Sequence, residues 1–61
     1  MPFAVGQIVF FEMYGEYVRI EGVTTRPNGF VYSISFMPES IWHWEPMMVY
    51  ERFLLPTNFE P

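Results

Sequence analysis

The 61 residues form one domain, residues 1–61, near the lower limit of what folds alone. With no Cys, one His and a net charge of −4, disulfides and thiolate metal sites are excluded, and any zinc would have to lean on glutamates. Seven Glu, no Asp, no Lys and three scattered arginines (Arg19, Arg26, Arg52) argue against direct attachment to nucleic acid or to an anionic membrane, and suit a protein partner with a basic surface.

Residues 1–6 read as a lead-in, with Gly6 allowing a bend. A first strand is expected over Gln7 to Met13. It is apolar on both faces, Ile8 and Phe10 on one and Val9, Phe11 and Met13 on the other, so it should be covered from both sides. Tyr14-Gly15-Glu16 makes a tight connection. From Tyr17 to Thr24 the residues alternate, placing Val18 and Ile20 in the core, and Gly22 inside that run signals a bulge. Pro27-Asn28-Gly29 is a hairpin signal, since Asn and Gly both tolerate positive φ.

The third strand, Phe30 to Met37, puts Phe30, Tyr32, Ile34 and Phe36 on the core face. After a turn at Pro38-Glu39-Ser40, Ile41 to Glu45 alternates again, so a fourth strand is expected with Trp42 and Trp44 on one face. Met47 to Arg52 is long enough for one helical turn, and Phe53-Leu54-Leu55 closes the sheet. The fold class is therefore all β: a small five-stranded barrel with one helical turn before the last strand. Its core spans about residues 5–55, and 56–61 form a tail that is loose unless Phe59 docks.

The spacing Val5-Gly6-x-x-Val9, Tyr17-Val18-x-Ile20, Gly29-x-Val31-Tyr32-x-Ile34-x-Phe36 and Val49-x-x-x-Phe53-Leu54 resembles SH3-like and Tudor-like barrels over about residues 5 to 55. The resemblance implies binding of peptides, modified side chains, nucleic acid or protein partners, and fold alone does not choose among them. Glu51-Arg52 also resembles the late Glu-Arg of the plasmid-borne type II dihydrofolate reductases, short SH3-like chains that work as a tetramer around one pore. Where that family carries Val-Gln-Ile-Tyr to line the pore, this chain has Ile41-Trp42-His43-Trp44, so the cofactor- and substrate-binding Gln and Tyr are missing.

Thirteen aromatic residues and five Met belong to 31 apolar residues, whereas five short strands offer on the order of 12 core positions. The surplus points to an apolar interaction surface. Trp42 and Trp44 are its best candidates. They can anchor a protein interface, form a cation cage for a methylated Lys or Arg together with Tyr14 and Tyr17, or pack over the barrel end. Met47 and Met48 add a pliable patch, and His43 and Tyr50 complete the expected partner-binding set.

Ser40 and His43 lack any nucleophile elbow or oxyanion-hole signal and read as a turn serine and a strand histidine. The dispersed glutamates read as solvating an apolar surface. No catalytic residue, metal or cofactor is expected. The function expected is that of a non-enzymatic protein-interaction module, small subunit or inhibitor that self-associates as a homo-oligomer. A methyl-cation reader and a pore-forming reductase are the alternatives. With no basic leader and no apolar run of membrane-spanning length, the expected location is the cytoplasm.

Overall fold

The computed structural model describes residues 3–58. They form five strands: β1 (Ile8–Phe11), β2 (Glu16–Arg26), β3 (Gly29–Phe36), β4 (Met47–Tyr50) and β5 (Leu54–Pro56). A single 3-10 turn, Glu51–Phe53, separates the last two. All strand pairs are antiparallel and belong to one sheet of order β4-β3-β2-β1-β5. The expected fold class holds, all β with one helical turn ahead of the last strand. No helix among the described residues is long and apolar enough to cross a membrane.

The connection from β4 to β5 decides the shape of this sheet. The two strands are its opposite edges, and a flat five-stranded sheet would hold them about 19 Å apart. Three residues of 3-10 helix advance only about 6 Å. The sheet must therefore curl until its edges approach, with one face enclosed. The radius of gyration of 10.7 Å agrees with close packing, since a compact chain of this length has about 10.5 Å.

The enclosed face follows the period-2 pattern. Val9 and Phe11, Val18 and Ile20, Tyr32, Ile34 and Phe36, Val49 and Leu54 are all buried in one cluster. Between Ile20 and Gly22 the register shifts, because Ile20 pairs with Ile34 and Gly22 with Ser33. Glu21 is the extra residue of this bulge, immediately before the Gly22 that signals it. The shift changes the parity of the strand, so that Val23 packs on the same cluster as Ile20. The hairpin after β2 turns through Pro27 and Asn28 between the paired Arg26 and Gly29. Positive φ falls on Gly29 alone, at 132°, not on both Asn28 and Gly29.

Several expectations are corrected. Ile41 to Glu45 is not a strand. Successive β-turns close it, with the N–H of Ser40, His43 and Glu45 donating to the carbonyls of Met37, Ser40 and Trp42. The Ser40 side chain takes the Trp42 N–H as well, so the alternation there is not read out as an extended chain. Met47 to Tyr50 is a strand, not part of a helical turn, because pairing with β3 and burial of Val49 outweigh local propensity. The helical turn is displaced to Glu51–Phe53.

β1 ends at Phe11, leaving Met13 exposed in the turn that follows. Its outer residues Ile8 and Phe10 are half-buried, and Phe30 is half-buried where full burial was expected. Phe3 is no lead-in residue but part of the core, its ring 5.5 Å from that of Tyr32. Pro56, expected in the tail, pairs with Val9. Thr57 is fastened too, its hydroxyl donating to the Ile8 carbonyl at 2.7 Å. Phe59 lies outside the described residues.

Candidate functional site

Among the described residues nine large apolar side chains stand exposed, including Trp44, Met48, Tyr50, Tyr14, Met13 and Tyr17. Much of this surface gathers around β4, which has a strand neighbour on one side only. Along β4 the core face takes Val49, so Met48 and Tyr50 turn outward, opposite Ser33 and Val31 of β3.

The eight residues expected to bind a partner divide into four groups. Trp42 and Tyr14 close the end of the barrel. Tyr14 stacks on Phe11 with ring centroids 5.0 Å apart, lies 5.5 Å from Phe36, and meets Trp42 edge to face at 5.3 Å. Trp42 packs on the core cluster, so the two indoles do not share a face. Tyr17 sits elsewhere, edge-on to Phe10 at 5.2 Å and beside Leu55. Trp44, His43, Met47 and Met48 line one hollow. Tyr50 borders the far end of β4, where the Arg52 guanidinium lies 4.9 Å from the ring centres of both Tyr50 and Phe53.

Two hollows flank β4. The smaller, about 270 Å³, lies between Met13, Tyr14, Met48, Tyr50 and Phe53, and no charged side chain among the described residues lines it. The larger, about 540 Å³, lies over the outer faces of β2, β3 and β4. Its floor is low because Ser33 and Ser35 are small. The turn carrying Trp44 and Glu45 lines it together with Glu21. The Ser35 hydroxyl donates to the Glu21 carboxylate. Trp44 is 66% exposed at the wall of this hollow.

Glu21 and Glu45 were not singled out by the sequence pattern, which assigns all glutamates to solvation. One signal was available for Glu21: it precedes Gly22 inside a strand, and a bulge re-aims the side chain it carries.

His43 and Ser40 meet through the backbone, not as nucleophile and base. The His43 Nδ1–H donates to the Ser40 carbonyl at 2.9 Å, while the Ser40 hydroxyl accepts the Trp42 N–H at 3.0 Å. Both contacts hold the turn that presents Trp44. Among the described residues no three His, Asp or Glu side chains gather into a metal-binding group.

Among the described residues, Tyr32 carries the one resolved perturbation of acidity. Its phenol is pushed above the ordinary value of 10.0, chiefly by burial and further by the Glu51 charge. The N–H of Phe3, which donates to its oxygen, acts the other way. This group belongs to the core, not to the β4 surface.

Compared with protein-family models, with curated proteins and with solved structures, the chain matches none.

Proposed function

We propose that this chain is a non-enzymatic protein-interaction module of the SH3-like type, working in the cytoplasm, and that it holds its partner along β4. The observation that carries the reading is the character of this edge. Among the described residues β4 has no strand partner on its outer side; it contains no charged residue, exposes Met48 and Tyr50, and is bordered by the exposed Trp44 and Met13. Solvent-facing edges are ordinarily blunted by charge, proline or extreme shortness. The opposite edge follows that rule, since β5 has three residues and ends in Pro56. A neutral edge with large apolar neighbours suits an arriving chain.

The partner favoured is a different protein. In a two-fold pairing each copy offers the same patch to the other. Each copy carries a net charge of −4, which opposes self-association in general, although antiparallel pairing at β4 would set the Glu45 end of one strand near the Arg52 end of the other. A methyl-cation cage draws less support, because Trp42 and Tyr14 already touch each other and Tyr17 lies against Phe10.

The test is retention of host protein on the immobilised chain. Trp44→Ala and Met48→Lys should each lose the retained protein while the circular dichroism spectrum is unchanged, since both side chains are exposed. Full retention by both variants contradicts the reading.

A further inference from the structure

The larger hollow beside β4 has a chemistry of its own. Two carboxylates, Glu21 and Glu45, line it together with the exposed Trp44 indole and the Ser33 and Ser35 hydroxyl side chains, and no Lys or Arg lines it. The Ser35 hydroxyl occupies one acceptor position of Glu21, whereas an ionised carboxylate offers about four. An indole face attracts a cation, and a carboxylate accepts from one. Each feature selects the same charge on a ligand, in a space of about 540 Å³ that is within the range of side-chain and small-ligand sites.

We infer that this hollow receives an arginine side chain of the partner. The inference rests on the reading of β4 as the docking surface, because Met48 belongs both to β4 and to the hollow. Arginine fits better than lysine. Its planar guanidinium stacks on an aromatic face while its forked N–H groups reach carboxylates and hydroxyls at once, and a lysine ammonium is a compact point charge. The chain places one of its own arginines near aromatic rings, with the Arg52 guanidinium 4.9 Å from the ring centres of Tyr50 and Phe53. The bulge at Glu21 then has a role beyond curvature, since the carboxylate it carries meets the Ser35 hydroxyl of β3 and lines the same hollow as Trp44.

The experiment is a two-dimensional NMR titration of the whole chain with a blocked, extended pentapeptide holding one central arginine, and with the same peptide holding citrulline. Citrulline keeps the shape and loses the charge. The expected result is movement of the Trp44 indole N–H and of the Met48 and Tyr50 amides with the arginine peptide. Binding should be about tenfold weaker for citrulline, and about threefold weaker for Glu21→Gln or Glu45→Gln. These glutamine variants keep size and hydrogen bonding, so the fold is retained. If both peptides move the β4 amides equally and leave the Trp44 indole unmoved, the arginine site is overturned and docking at β4 stands. Absence of any response at millimolar peptide overturns both.

Discussion

Tyr32 is where a single side chain ties the start of the chain to the sheet. It is fully buried, its ring faces that of Phe3, and its hydroxyl oxygen accepts the Phe3 N–H at 3.2 Å. Tyr32→Phe keeps the ring and leaves that N–H without its acceptor, so about 1–2 kcal/mol of stability should be lost in denaturant melts. The same variant should change the alkaline limb of stability against pH. The folded phenol is held above 10.0, so the unfolded chain releases this proton first as pH rises. The stabilising contribution is complete below about pH 10 and falls as pH climbs through the folded value. Stability should therefore decline more steeply above pH 10 in the unsubstituted chain than in Tyr32→Phe. Equal slopes would show that Tyr32 ionises alike in both states.

At the scale of elements, the connection between β3 and β4 separates a packed from an exposed tryptophan. Its β-turns send Trp42 onto Tyr14 and the core, and Trp44 out to the rim of the larger hollow. Trp42→Ala should cost about 2–3 kcal/mol, somewhat below the value for a fully buried aromatic. Trp44→Ala should cost within about 0.5 kcal/mol, as surface substitutions do. Thermal unfolding of the two variants side by side checks this, and equal losses would contradict the division.

The same connection marks the limit of local pattern. Ile41 to Glu45 alternates as cleanly as β3 does, yet it folds into turns because Ser40 binds the backbone on both sides of itself. By contrast, Val18, Ile20, Tyr32, Ile34 and Phe36 were legible as core residues. Their alternation coincides with a long hairpin whose turn, Pro27-Asn28-Gly29, is written in neighbouring residues.

For the whole molecule, what was hidden in the sequence is what depends on distant parts of the chain meeting. Phe3 becomes core only because Tyr32 offers it a face and an acceptor. Glu21 and Glu45 become one acidic border only because β2, β3 and β4 are neighbours and the Trp44 turn folds back beside them. The surplus of apolar residues was legible from composition, and the structure places much of it around an edge strand, as Trp44, Met48, Tyr50 and Met13.

On the proposed function, the free chain leaves its β4 surface open for a different protein. Solution mass by light scattering over a dilution series tests this directly. The predicted result is the mass of one chain throughout the micromolar range. A dimer or tetramer that survives dilution, and that Met48→Lys dissociates, would contradict it by showing that a second copy already covers this surface.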